Sequence, residues 1–331
     1  METRRLGRTG LNIPLLTFGC GAVGGLMTKG NPEDQERAVR RALDLGVNFF
    51  DTAALYGNGA SETNLGIILA RLKPDIVLAT KVRIAAEDKT DIGGAIDRSF
   101  EHSLRRLQRD HVDLLQLHNV LSEDGRGESL TPAQVRDHVA PAFERLKRDG
   151  KIRFYGFTAI GETSALQKVL ASKAFDTAQI VYNMLNPSAG QSVESGYPGQ
   201  DYGDLLARAA SADVGTIVIR ALAGGALSGE ETRHPLGMQI VAPIGSGEDY
   251  RIDVDRARRM APVLAAAGHP DLVETAIRYV ASHPHVSTLQ VGIATVEQFE
   301  GAAAAVNKGA LGAEVLEKIS GLQSGFIGDG S

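Results

Sequence analysis

Eight short runs of almost wholly apolar residues constrain this chain more than any other feature of it. They lie at 15–18, 48–51, 76–81, 114–118, 154–158, 178–182, 216–220 and 288–291. A run that is apolar throughout, rather than alternating, suits a parallel strand buried on both faces. Each is followed by enough chain for a helix, and most successive runs begin roughly 25 to 40 residues apart, the length of a βα unit. Helix signals fill the gaps. Asn31-Pro32-Glu33 offers a cap and then proline in the first turn, Ser61-Glu62 opens a second helix, and Thr131-Pro132 opens a fourth that Asp149-Gly150 closes. At 331 residues the chain has room for one (β/α)8 barrel or for two smaller domains. No low-complexity linker marks a boundary, so a single barrel spanning 1–331 is expected.

Three segments depart from the plain alternation. "LGRTGLNIP" near the start places a turn between two short extended pieces, a hairpin able to close one end of a barrel. The segments 183–203 and 224–253 are long, polar loops rich in Gly, Pro and Ser, where function tends to sit.

Composition excludes several classes. A net charge of −5 with both signs scattered offers no nucleic-acid patch, and "LRRLQRDH" reads as a solvated helix end. The single cysteine, Cys20, rules out an intrachain disulfide and suggests a reducing compartment. No stretch of about 18 apolar residues is present to span a membrane. The charged N-terminus does not read as a signal peptide, so the cytoplasm is the expected location. His283-Pro284-His285 lacks a nearby third ligand and is read as a loop rather than a metal site.

Gly19-Cys20-Gly21-Ala22-Val23-Gly24 matches the G-x-G-x-x-G pattern after a strand, and Asp51 ends the next strand. A dinucleotide-binding loop of that kind needs a helix to start within the glycines, facing the pyrophosphate. Here Gly30-Asn31-Pro32 restarts the chain before any helix is expected, so the glycines are read as a loop at a strand end.

A more specific pattern stands at the strand ends. Asp51 ends "NFFD", Lys81 ends "IVLATK" and His118 ends "DLLQLH", while Tyr56 lies in the loop after Asp51. In a parallel barrel all such ends lie on one face, where active sites are built. A carboxylate finishing a buried strand is acceptable if Lys81 neutralises it. The ammonium would lower the phenol of Tyr56 from its ordinary pKa of about 10. His118 could hydrogen-bond a carbonyl. Together the four make a proton-transfer site for carbonyl–alcohol interconversion, and a cofactor must supply the hydride.

"FFDTAALYGNGASETNLG", "ATK" and "DLLQLHN" resemble the aldo-keto reductase family, over nearly the whole chain. The resemblance implies a (β/α)8 barrel with a nicotinamide cofactor across its C-terminal face, and Asp51, Tyr56, Lys81 and His118 as the catalytic tetrad. It also implies cofactor contacts. Thr158 and Gln179 would meet the nicotinamide amide. Arg220 stands where an aromatic residue often stacks on the nicotinamide ring. The loop Leu222 to Gly229, with Ser228 as an anion donor, would cover the pyrophosphate, and Gly21, Gly292, Thr295 and Gln298 would complete the site. Many members bind an adenosine 2′-phosphate through a cation after the last strand. None occurs between Val286 and Asn307, so NAD is expected over NADP.

Asn183, Asn186, Ser188, Gln191 and Asp201, with Arg83, suggest a hydroxylated small-molecule substrate, such as an aldose oxidised at its anomeric carbon to a lactone. The chain is similar to the sugar dehydrogenase branch of the family. A pyridoxal-type dehydrogenase is the rival in the same class. A nicotinamide-binding regulatory subunit and a Schiff-base lyase using Lys81 are the alternatives of other classes.

Overall fold

The computed structural model describes residues 1–247 and 249–327. Two antiparallel strands, β1 (Thr3–Arg5) and β2 (Asn12–Pro14), pair with Thr3 opposite Pro14. Eight parallel strands then close into a barrel: β3 (Leu16–Gly19), β4 (Phe49–Asp51), β5 (Val77–Val82), β6 (Val112–Leu117), β7 (Ile152–Ala159), β8 (Thr177–Val181), β9 (Gly215–Ile219) and β10 (Thr288–Gly292). They follow one another around the barrel in sequence order, and β10 closes it by pairing with both β9 and β3. This is the expected (β/α)8 fold, and closure excludes the open sheet of a dinucleotide-binding Rossmann unit. The strands fall within a few residues of the apolar runs that forecast them.

Capping acts as read at Asn31 and Thr131, but the helix Ala60–Leu72 starts ahead of Ser61, with a left-handed Gly59 at its N-cap and no side-chain cap. Asn31 Oδ1 accepts from Asp34 N at 2.8 Å, and Pro32 begins the helix Pro32–Asp44. Thr131 and Gln134 form a reciprocal capping box. Two further expectations need correction. The glycine loop does admit a helix, the single turn Leu26–Lys29, because Gly25 takes a left-handed φ of 87° that starts it. The segment 224–253 is not loop to its end: Asp249 caps the helix Tyr250–Ala266, which absorbs residues 250–253.

The hairpin plugs the base of the barrel. Leu6 and Ile13 join Phe49, Ala79, Leu114 and Ile217 in an apolar cluster inside it. Gly7 (φ 48°) makes this closure possible, since a Cβ there would stand 2.2 Å from Gly215 N. The larger core lies between the strands and the surrounding helices. Among the described residues no helix is long and apolar enough to cross a membrane.

Candidate active site

Alternation along each strand sends every second side chain into the barrel. Leu114, in the base cluster, therefore puts Gln116 and His118 on the same inner wall, and Phe49 does the same for Asp51. At the C-terminal mouth Lys81 Nζ donates to Asp51 Oδ2 (2.5 Å), to the Thr52 carbonyl (2.8 Å) and toward Tyr56 Oη (3.3 Å). The Tyr56 and His118 rings meet edge to face, their centroids 5.7 Å apart. The four residues thus meet at the mouth of the barrel. Ser61 fixes the segment carrying Tyr56: its hydroxyl bonds Thr52 Oγ1 (2.8 Å) and the Cys20 carbonyl (3.0 Å). Glu62, fully buried, takes the Thr80 hydroxyl and Arg106.

Burial changes the expected electrostatics. It raises the Tyr56 phenol above its ordinary value; Lys81 pulls the other way without overcoming it. The expectation of a lowered phenol is corrected, because desolvation of a phenolate outweighs one ammonium that is already paired with Asp51. Burial also works against the Lys81 ammonium, but Asp51 and Tyr56 more than offset it, so Lys81 is held charged. His118 is pushed down to about 3 by burial, then by Lys81 and Arg83, and is a neutral imidazole.

The remaining expected contacts divide into two groups. Thr158 and Gln179 join the tetrad: Thr158 Oγ1 donates to Gln179 Oε1 (3.3 Å), and Gln179 Nε2 donates to Asp51 Oδ1 (3.0 Å). Gly21 lies beside Tyr56, where a Cβ would stand 3.7 Å from the ring. Arg220, Leu222 and Ser228 occupy the turn after β9, Gly292 ends β10, and Thr295 and Gln298 follow it, all at the same end of the barrel as the four. Arg220 has a left-handed φ of 58°, and its carbonyl accepts from Asn183 Nδ2. The Ser228 hydroxyl donates to the Gly225 carbonyl at 2.8 Å. Thr295 caps the helix Val296–Asn307 by accepting from Gln298 N, while Gln298 Oε1 accepts from Ala294 N. The long loop after β9 crosses to the loop after β3, where Met238 N reaches the Ala22 carbonyl (3.2 Å).

The polar loop after β8 is not what its composition suggested. Asn183, Asn186 and Ser188 are fully buried. Asn183 Oδ1 holds the backbone of Leu185 and Asn186, and Asn186 Oδ1 holds Ser188. Gln191 bonds Gln323. Asp201 Oδ1 accepts from Gly203 N, and Arg83 pairs with Glu128. Asn183, Asn186 and Ser188 build the loop rather than face a substrate.

Gln116 was missed. Its Nε2 donates to Asp51 Oδ1 at 3.1 Å. The signal was present as a lone amide in a strand that is otherwise buried and largely apolar, two residues before His118 on the inward face.

The aldo/keto reductase family model matches residues 15–323. The chain belongs to the aldo/keto reductase family. It is an oxidoreductase of that type. Similar members of this family include the L-galactose dehydrogenase of Arabidopsis thaliana, 28% identical over 313 residues that take in 93% of this chain and 89% of that protein. A putative voltage-gated potassium channel subunit beta of Schizosaccharomyces pombe is also 28% identical, over 96% of this chain and 91% of that one. Among solved aldo-keto reductases, the holo form of AKR11C1 from Bacillus halodurans superimposes with a TM-score of 0.73 at 27% identity, covering 97% of this chain and 96% of that one.

Proposed function

We propose that this oxidoreductase interconverts a carbonyl and an alcohol with a nicotinamide dinucleotide, and that Tyr56 carries the proton. The observation behind this is the line Asp51–Lys81–Tyr56, with a buried 2.5 Å contact and a part-buried 3.3 Å contact at the mouth. The residues fit a nicotinamide. Glycine at position 21 leaves room beside the Tyr56 hydroxyl. The buried Thr158 hydroxyl and Gln179 amide offer a carboxamide both donor and acceptor capacity. When bound, the cofactor supplies or accepts the hydride at the carbonyl carbon. In reduction Tyr56 Oη gives its proton to the carbonyl oxygen, and Lys81 steadies the phenolate left behind. Asp51 and the Thr52 carbonyl hold that ammonium in place. Neutral His118 orients the carbonyl without bringing a second charge.

A raised phenol pKa means that Tyr56 holds its proton at neutral pH. That is the state carbonyl reduction uses; alcohol oxidation gains as pH rises toward the phenol's pKa. The lean to NAD loses its ground. A cation does stand near the stretch after β10, since Arg37 reaches within 3.7 Å of Glu297 from the helix Pro32–Asp44. NADH and NADPH are therefore compared side by side.

Similarity to an L-galactose dehydrogenase supports an aldose, converted at C1 to a lactone, as substrate. A second reading has its own observation. Leu55 and Val120, flanking Tyr56 and His118 in sequence, are 46% and 42% exposed, which favours a carbonyl compound with an apolar body such as an aromatic aldehyde. The test measures turnover of aldoses, pyridoxal and aromatic aldehydes with each cofactor. Aldose turnover supports the first reading, turnover confined to aromatic aldehydes and pyridoxal the second. No turnover of any would remove both and favour a regulatory subunit.

A further inference from the structure

We propose that Gln116 is a positioning residue for Asp51, held by a buried water that bridges Gln116 Oε1 to Thr177 Oγ1 across Gly156. The proposal rests on the proton-transfer reading of Asp51, Lys81 and Tyr56.

Three inward positions lie side by side on the barrel wall. Gln116 pairs with Gly156 on β7, and Gly156 pairs with Thr177 on β8. The middle position has no side chain. A Cβ on Gly156 would fall 2.1 Å from Thr177 Oγ1, so the hydroxyl occupies the ground the glycine leaves open. Gln116 and Thr177 are both 0% exposed. Among the described residues, Gln116 Oε1 and Thr177 Oγ1 are buried atoms with no hydrogen-bond partner. Two strand spacings, about 10 Å, separate the outer two backbones. A side-chain amide from one side and a short hydroxyl from the other set polar atoms at both ends of the space over Gly156, the lining that a bridging water requires. Buried polar groups without partners are rare in native interiors, and one donor placed here would satisfy both.

The consequence concerns which end of the amide faces Asp51. A glutamine can present either Nε2 or Oε1. Oε1 toward a carboxylate is repulsive, whereas Nε2 toward it is a charge-assisted bond. The acceptor-only carboxylate selects the second orientation, and a water donating to Oε1 at the far end holds the amide there. Asp51 Oδ1 then receives Gln116 Nε2 and Gln179 Nε2, while Oδ2 receives Lys81. Both carboxylate oxygens are committed and the carboxylate plane is fixed. Removing the Gln116 donor leaves more of the Asp51 charge uncompensated. Asp51 raises the Tyr56 pKa, so that loss moves the phenol further up.

The test combines crystallography and kinetics on the full chain with its cofactor. A high-resolution crystal structure is expected to show a water within about 3.2 Å of both atoms. Thr177→Ser should keep it and Thr177→Val should lose it. Thr177→Val and Gln116→Met should each lower kcat by about tenfold, the scale of one hydrogen bond to a charged group. Their alkaline limb in the reductive pH profile should move to higher pH with cofactor KM unchanged, and Thr177→Ser should behave as wild type. A structure in which Gln116 Oε1 has a protein donor overturns the bridge. Unshifted profiles in both variants overturn the positioning role. If instead Tyr56→Phe keeps full turnover, the proton-transfer reading itself has failed, while the crystallographic outcome still decides the water.

Discussion

The two ends of the barrel bore are built from the same strands and have opposite chemistry. On β4 the inward face runs from Phe49 to Asp51, on β5 from Ala79 to Lys81, and on β6 from Leu114 through Gln116 toward His118. The base is a dry apolar cluster sealed by the hairpin. One pleat higher stand a carboxylate, an ammonium and two amides joined by hydrogen bonds. Strand geometry is common to both ends, so the difference lies wholly in residue type at alternate positions. Burial at the base is expected to carry stability and burial at the mouth to carry chemistry. A buried ion pair is weak support for a fold, since desolvation of its two ions offsets most of their attraction.

The sharpest way to break this division is to remove the charge that sits on both sides of it. Lys81→Met leaves Asp51 buried with only its amide donors. It is expected to cost about 3–5 kcal/mol of stability, the scale for leaving one partner of a buried pair alone, and to abolish turnover as well. Denaturant midpoints and kcat on the same preparation check it; a stable, active variant would mean that the pair serves neither end. Tyr56→Phe isolates the chemical half. It should lower kcat by about 10²- to 10⁴-fold, the range for one general acid, with an unchanged melting temperature and retained cofactor binding. Phe49→Ala isolates the other half. It should cost about 3–5 kcal/mol, read from urea unfolding, while kcat per folded molecule stays near wild type. A large loss of kcat in folded Phe49→Ala protein would show that the base shapes the mouth and that the two regions are not separable.

The sequence was most legible where a residue type was out of place in its run. Asp51, Lys81 and His118 are polar groups closing apolar strands, and in a parallel barrel strand ends share one face, so their positions in the runs alone bring them together. What could not be read were quantities that depend on several neighbours at once. The direction of the Tyr56 shift is a contest between burial and Lys81, and only depth decides it. Asn183, Asn186 and Ser188 have the composition of a substrate loop, yet their side chains are spent on their own backbone. Arg37 stands beside Glu297 although 260 positions separate them in the chain, so a scan of the stretch after β10 alone finds no cation. Gln116 was visible as a lone amide within β6, but its partner Asp51 lies two strands away.

The smallest expected effect concerns His118, and it is the one that tests whether the mouth is as dry as the base. An ordinary histidine would titrate near 6.5 and bend the pH profile in the middle of the physiological range. Here burial, reinforced by Lys81 and Arg83, holds the imidazole neutral down to about 3. Between about pH 5 and 8 His118 should therefore contribute no inflection to kcat. The same depression has a consequence for stability with a definite sign. The folded state resists a proton that the unfolded chain accepts near 6.5, so this contribution is complete above that pH and is lost progressively as pH falls toward 3. His118→Gln, which keeps a polar side chain and removes the titration, should unfold less steeply with acid over that window while matching wild type at pH 8. Thermal melts of the two proteins from pH 8 to 4 measure it. Parallel curves, together with a kcat inflection near 6.5 in the wild type, would show that water reaches the imidazole and that the mouth is solvated where the base is not.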